Sequence, residues 1–317
     1  MIKALIIGCG NIGALYDLES EAVSSYAKAF HCDGDIAFSV YDADLSVAQR
    51  VARRYDVPCL SRWDEVHPSE YDIVVVSSPT PTHHGYLESL FEARPRLVIC
   101  EKPVDIDLGR LNRLEERYRE SGLRVMVNFH RRFQPRMAEL RDRVQSLAAQ
   151  SACRQVTVIY QRGFHNNASH AMDLLGFLFG SPFSVTDLRA TQVVCDEFPA
   201  DPTVTAHCRW GDIAVQFVGL AGVQFSHFEL NLYFPMHAIS LRRGGDEVEF
   251  FSTLQRRGSF YPALKSDEVW TGALQNHMLA VVAHARRMLQ DTETLDNFLE
   301  SVSISRTIVH NTAQFHL

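Results

Sequence analysis

Lysine is scarce in this 317-residue chain: only Lys3, Lys28, Lys102 and Lys265 occur, and arginine carries the rest of the basic charge. The net charge is −7 at pH 7. A nucleic-acid partner recruited by bulk positive charge is therefore not expected. No apolar run reaches the roughly 18 residues of a membrane span, so no membrane partner is expected either. The seven cysteines, Cys9, Cys32, Cys59, Cys100, Cys153, Cys195 and Cys208, are scattered and odd in number, with no CxxC or zinc-knuckle pair. They read as buried free thiols in a reducing compartment. The opening "MIKALIIGCGNIG" has too short an apolar run for a secretory signal and flows straight into a glycine loop. A cytoplasmic location is expected. Internal repeats and low-complexity tracts are missing too.

What is present suits a folded protein with a substantial core: 46% of residues are apolar and 22% charged, over a length sufficient for two domains. "IKALIIGCGNIG" opens as a buried strand, and Gly8, Gly10 and Gly13 follow with GxGxxG spacing. In a dinucleotide fold the first glycine allows the tight turn. The second lacks a Cβ that would block a pyrophosphate, and the third lets the next helix pack close to the strand. The phosphates would meet backbone N–H groups at that helix's start, around Asn11 and Ile12. A second strand, "IAFSVYDAD", ends near Asp42, whose carboxylate can accept hydrogen bonds from the ribose hydroxyls of NAD and would repel the extra phosphate of NADP. No arginine follows at once to bind such a phosphate. NAD is the expected cofactor and NADP the less favoured one. The gap from Gly13 to Asp42 exceeds the usual ~20 residues. "YDLESEAVSSYAKAF" accounts for it as an insertion before or within the first helix.

Strands and helices then alternate through "LRVMVNFH", which predicts a parallel sheet with helices on both faces. Ligands of such sheets lie at the C-terminal strand edges. Ser78, Pro79, Thr80 and His83 fall at one edge, and Glu101 and Lys102 at the next. Lys102 directly follows the apolar "LVIC" and precedes a proline, in a chain that uses arginine nearly everywhere else. A partly desolvated lysine can give up or share its proton, whereas an arginine effectively cannot. His83 and His84 show no carboxylate partner at ligand spacing, so no metal is expected.

After "NFHRRFQP" the pattern changes. A helix over 136–150 precedes a run of strands beginning at "RQVTVIYQRG", which predicts a mostly antiparallel sheet covered on one side by helices. The boundary is placed between 1–128 and 129–317. The last helices can cover either part. "SHAMDLLGFLFGSP" reads as an amphipathic helix ended at Gly180, with His170 and Asp173 sharing a face near its start. Alone, this reads first as a capped helix with a hydrogen-bonded histidine, and only second as a catalytic group.

Together, "GCGNIG", "SSPTPTHH", "CEKPVDID", "NFHRRFQP" and "SHAMDLLGFLFG" resemble the glucose–fructose oxidoreductase/inositol dehydrogenase (Gfo/Idh/MocA) family over nearly the full length. The order of the motifs is more specific than any one of them. The resemblance implies a Rossmann domain plus an α/β domain with an open mixed sheet, a homodimer or homotetramer, and oxidation or reduction of a sugar, cyclitol or related substrate with NAD(P). By motif, Lys102 matches the lysine that contacts the reacting hydroxyl. His170 matches the acid–base histidine, and Asp173 the acid that fixes its ring. Arg132 matches an arginine near substrate. Asn166 stands where many members carry aspartate; it can orient a hydroxyl or the imidazole, but it cannot exchange a proton as aspartate can. Ala168 stands where glycine is frequent. The Asn166 departure leaves open an NAD-binding regulatory or structural protein without catalysis. An epimerase or elimination enzyme that uses transient oxidation is the other alternative.

Overall fold

A computed structural model of the chain describes residues 1–185, 187–196, 200–274, 276–294 and 296–312. It divides into two units. The first comprises Met1–Phe133 and Asn276–Arg306; the second begins at Gln134 and takes up the chain again at Thr307. The division thus falls beyond residue 128, because Phe133 is itself buried in the core of the first unit.

The first unit holds β1 (Ile2–Ile7), α1 (Tyr26–Asp33), β2 (Ile36–Tyr41), α2 (Leu45–Tyr55), β3 (Cys59–Leu60), β4 (Ile73–Val76), α3 (His83–Ala93), β5 (Leu97–Cys100), α4 (Leu108–Ser121) and β6 (Val125–Val127). The strands pair only in parallel, in the order β3-β2-β1-β4-β5-β6. This is the strand order of the doubly wound dinucleotide fold, with its switch point between β1 and β4. All residues of β4, β5 and β6 are buried, as strands covered on both faces must be.

The second unit holds α5 (Pro135–Gln150), β7 (Gln155–Tyr160), α6 (Ser169–Phe179), β8 (Leu188–Val194), β9 (Thr203–Trp210), β10 (Ile213–Gly219), β11 (Phe228–Tyr233), β12 (His237–Arg242), β13 (Glu247–Leu254) and β14 (Ala263–Trp270). Their order is β14-β13-β12-β11-β7-β10-β9-β8, antiparallel except for β7 with β10. The strands β8 and β14 escaped the sequence reading. They are the two edges of the sheet, and β14, "ALKSDEVW", is exposed over most of its length. Edge strands carry charge and little apolar alternation, which removes the pattern by which strands are read.

Two helices close the chain, α7 (His277–Gln290) and α8 (Phe298–Thr312). Met278, Val281, Val282, Ala285 and Met288 of α7 join the same apolar core as β1, β2 and α1. Among the described residues, no helix is long and apolar enough to cross a membrane.

Candidate active site

In the first unit the glycine loop is shaped by sterics. Gly8 takes a left-handed φ of +93°, and a Cβ there would lie 2.4 Å from the Ser78 nitrogen. A Cβ on Gly13 would lie 2.1 Å from the Gly8 carbonyl oxygen. A Cβ on Gly10 would meet nothing within 4 Å. Two glycines are thus needed by the protein itself, and the third borders open space, the cradle a dinucleotide phosphate requires. The helix expected after the loop is different in form. Asn11–Leu15 is a single five-residue π-helical turn, and α1 begins only at Tyr26. The extra residues interrupt the first helix. They are pinned by buried Asp17, whose carboxylate accepts from Ser24 N, Ser25 N and Ser25 Oγ at 2.5–2.8 Å.

Asp42 sits at the end of β2. Its Oδ2 accepts from Cys9 N at 2.7 Å and its Oδ1 from Asp44 N at 2.8 Å. It is thus both a turn residue and the anchor of the glycine loop. Each carboxylate oxygen has a second lone pair left for a hydroxyl donor. Burial, with Asp42 and Cys59 nearby, pushes the Cys9 thiol up to about 12. Cys100, Cys153 and Cys208 are buried as well, whereas Cys32 and Cys195 are exposed, so not all the thiols are buried as expected.

The loops after β4 and β5 are tied together by His83. It is 1% exposed, with Nδ1 3.0 Å from the Pro103 carbonyl and Nε2 2.8 Å from the Ser78 carbonyl; the neutral ring has one N–H and donates to one of the two. Burial lowers its pKa. Pro79 and Thr80 lie in the short turn between these contacts. Glu101 Oε1 accepts from the Tyr26 hydroxyl at 2.8 Å and from Asn128 Nδ2 at 2.7 Å. Fully enclosed Asp105 accepts from Ile106 N, Asp107 N, and the guanidinium of Arg110 at 2.7–3.0 Å. His84 Nδ1 lies 3.8 Å from Asp105 Oδ2. That carboxylate comes from 21 residues downstream, outside the local ligand spacing by which the sequence was read. Among the described residues, no group of three or more His, Cys, Asp and Glu side chains is arranged to hold a metal ion. Half-buried Lys102 lies between Glu101 and Pro103, with a cis bond to the proline.

After β6 the chain enters a short 3₁₀ turn, His130–Phe133. Arg132 donates to Glu300 Oε2 at 2.7 Å from a side chain only 9% exposed. The rings of His130 and His277 stand 4.8 Å apart. Burial, then Arg131, His277 and Lys102, drives the His130 pKa well below its usual value. Burial and Arg131 lower that of His277.

In the second unit Asn166 lies in a π-helical turn, Phe164–Ala168, that runs directly into α6. His170 and Asp173 are on the first turns of α6, 6% and 2% exposed. The helix was read as amphipathic, but eight of its eleven residues are buried. The aromatic rings around it explain this: Phe164 packs 5.5 Å from Phe217, and Phe179 5.4 Å from Trp210, both on the sheet's inner face. Gly180 ends the helix with φ +65°. Asn166 Nδ2 donates to the Arg162 carbonyl at 3.2 Å. The backbone N–H groups of His165 and Asn166 donate to the carboxylate of Asp201.

The structure therefore gathers the glycine loop, Asp42, Ser78, His83, Glu101 and Lys102 at one sheet edge of the first unit, and Asn166, His170 and Asp173 on one helix of the second. Sequence reading missed Tyr26, Asp105 and Asp201. Of these, only Asp105 left a local sign, as the acid in a "PVDID" turn just before a helix.

A family model described as an oxidoreductase family with an NAD-binding Rossmann fold matches residues 2–129. Inositol 2-dehydrogenase of Rhizobium meliloti (strain 1021) is 27% identical over 202 residues, covering 59% of this chain and 58% of the relative. Myo-inositol dehydrogenase Hyg17 of Streptomyces leeuwenhoekii is 30% identical over 141 residues, covering 44% and 39%. The chain thus spans about half the length, or less, of these curated relatives. A solved UDP-N-acetylglucosamine 3-dehydrogenase from Acidithiobacillus ferrooxidans shares the fold, with a TM-score of 0.73 at 16% identity over 96% of this chain and 94% of that one. The glycine loop and the β3-β2-β1-β4-β5-β6 sheet fall within the residues that match the Gfo/Idh/MocA family of NAD-binding oxidoreductases, and over about half its length the chain is related to the inositol dehydrogenases.

Proposed function

We propose that the protein transfers a hydride between NAD(H) and a secondary hydroxyl or carbonyl of a sugar, cyclitol or sugar-derived substrate. The observation that carries this is the Lys102 loop. One of only four lysines stands at the C-terminal edge of the sheet, where dinucleotide folds bind ligand. Beside it, His83 Nδ1 lies 3.0 Å from the Pro103 carbonyl, and the neighbouring Glu101 carboxylate accepts from Tyr26 and Asn128. The inositol dehydrogenases among its relatives support a cyclitol or sugar as the substrate class.

Bound NAD supplies the hydride acceptor. The Gly8–Gly13 loop, with Asn11 and Ile12, would hold its phosphates. Asp42 would hold the ribose hydroxyls and disfavour a 2′-phosphate. Lys102, as a cation, stabilises developing alkoxide charge and lowers the pKa of the reacting hydroxyl. His170 takes the hydroxyl proton in oxidation and returns it in reduction. Asn166 orients and transfers no proton.

Titration with NADH and NADPH by protein fluorescence quenching is expected to give several-fold tighter NADH binding. A panel of sugars, cyclitols and sugar nucleotides, followed by NADH absorbance, is expected to yield a substrate. Binding of NADH with no turnover across the panel would reject the dehydrogenase reading. Equal affinity for the two cofactors would reject the role given to Asp42.

A further inference from the structure

The turn that carries Asn166 and leads to His170 begins without a side-chain cap of its own. Its N-cap is Gly163, and a helical start leaves backbone N–H groups that need acceptors. Asp201, from the segment just before β9, provides them. Its Oδ1 accepts from His165 N at 2.7 Å and its Oδ2 from Asn166 N at 2.8 Å.

The chain is shaped around this carboxylate. Arg162 and Gly163 are consecutive left-handed residues, with φ of 63° and 82°. A Cβ on Gly163 would lie 2.1 Å from Asp201 Oδ2 and 2.5 Å from its Cγ. Left-handed backbone is costly for arginine and open to glycine. The only residue type that fits at 163 is therefore the one that admits the acid. Asp201 is in turn fixed by its neighbours. Phe164 N donates to the Pro202 carbonyl at 3.0 Å, and Gly163 N donates to Thr203 Oγ1 at 3.3 Å. Thr203 Oγ1 donates to Asp196 Oδ2 at 3.2 Å, while the Tyr160 hydroxyl bridges the N–H and C=O of Val204.

We propose that Asp201 is a positioning residue for His170, setting where the imidazole stands through the helix start it holds. This deepens the reading of His170 as the acid–base group and rests on it. His170 lies on the first turn after the anchored segment, so a shift or rotation of that segment moves its ring. A carboxylate also matches the positive end of a helix, which a neutral isostere does not. Asparagine at 201 would offer one acceptor oxygen and turn an NH₂ toward the second backbone N–H.

The test uses the full chain with Asp201→Asn, and Asp196→Asn as the control, since the latter disturbs the same loop and leaves both helix-start bonds in place. With a reacting substrate, Asp201→Asn is expected to lower kcat by about 10²-fold, the scale of a misplacement near 1 Å. The NADH dissociation constant should stay unchanged, and Asp196→Asn should retain kcat within about twofold. The amides of His165 and Asn166 should lose hydrogen-exchange protection. In ¹³C-histidine-labelled protein at fixed pH, the His170 imidazole resonance should move. Wild-type kcat in Asp201→Asn would overturn the proposal. If the wild-type protein oxidises no panel member, the functional reading fails separately, and the resonance decides: a moved His170 signal supports the anchor, and an unmoved one beside lost amide protection overturns it. Should Asp201→Asn not fold, Asp201→Glu, which keeps the charge and lengthens the side chain, gives the same two readings.

Discussion

The loops of the first unit and the helix start of the second hold their chemical groups by different means. In the first unit the braces lie within one loop or join loops along the edge of the parallel sheet, and the Tyr26 hydroxyl of α1 adds a contact to Glu101. Asp42 accepts from Cys9 N and Asp44 N, Asp105 from Ile106, Asp107 and Arg110, and His83 joins the loops after β4 and β5. A parallel sheet brings those loops together by its strand order alone. In the second unit the segment bearing Asn166 and His170 is pinned by an acid 35 residues further along the chain. The first arrangement tolerates change around a fixed edge. The second sets one carboxylate against a glycine at the helix start, with Phe164 N on the Pro202 carbonyl beside them.

The largest expected effect tests whether chemistry follows this division. His170→Asn should lose about 10²–10⁴-fold in turnover, the range for a general acid–base group, with NADH binding unchanged. Lys102→Met should lose about 10²-fold in the hydride step. Asn166→Ala should lose less than either, because an amide can orient a proton donor and cannot replace it. Stopped-flow single turnovers with a substrate from the panel measure all three. Full activity in His170→Asn would leave that residue a packing group, and the two units would then differ only in construction.

A smaller effect separates the glycines of the first unit. Gly13→Ala would put a methyl 2.1 Å from the Gly8 carbonyl, where backbone must shift. A destabilisation of about 1–3 kcal/mol is expected, the usual cost of overpacking, together with loss of NADH binding. Gly10→Ala meets nothing within 4 Å, so its melting temperature should match the wild type while NADH binds several-fold more weakly. Chemical denaturation and fluorescence titration of both variants distinguish them. Matched stability in the two would mean that the loop relaxes freely around residue 13.

The same contrast governs what was legible in the sequence. Glycine spacing, Asp42 after β2 and the apolar strands gave the first sheet, because each rests on local chain geometry. The second sheet was legible where strands are half-buried, and its edges β8 and β14 were not, since edge strands hide little apolar surface. The π-helical turns at Asn11–Leu15 and Phe164–Ala168 left no periodic signal within five residues. His83 was read as a cofactor contact from its position. The structure shows a buried ring set between two backbone carbonyls, a placement that depends on where Ser78 and Pro103 come to lie. Asp201 had no readable sign, because nothing in its own segment distinguishes it from an ordinary loop acid.

The smallest expected effect concerns acid stability and sharpens the comparison through charge. Burial lowers the pKa of His83, His130, His277 and His284 in the first unit, and that of His165 in the second, where Asp201 pulls the other way. For His284 burial is joined by Arg287, Arg132 and Arg124, and its pKa falls to about 4. An unfolded histidine takes its proton near pH 6.5. Between that pH and the lower folded value, the unfolded chain binds more protons than the folded one, so stability rises with pH. The stability tied to these neutral rings is therefore present above about pH 6.5 and is lost as pH falls toward 4 for His284. The melting temperature should be nearly level from pH 8 to about 7 and decline from about 6.5 to 5, above the carboxylate range. His284 stacks 4.6 Å from Phe133, so His284→Phe keeps a ring there and removes the titrating group. Its decline should be shallower than that of the wild type in calorimetric scans across the same buffers. A melting temperature that stays level down to pH 5 would show that these histidines are as free to protonate in the folded chain as in the unfolded one.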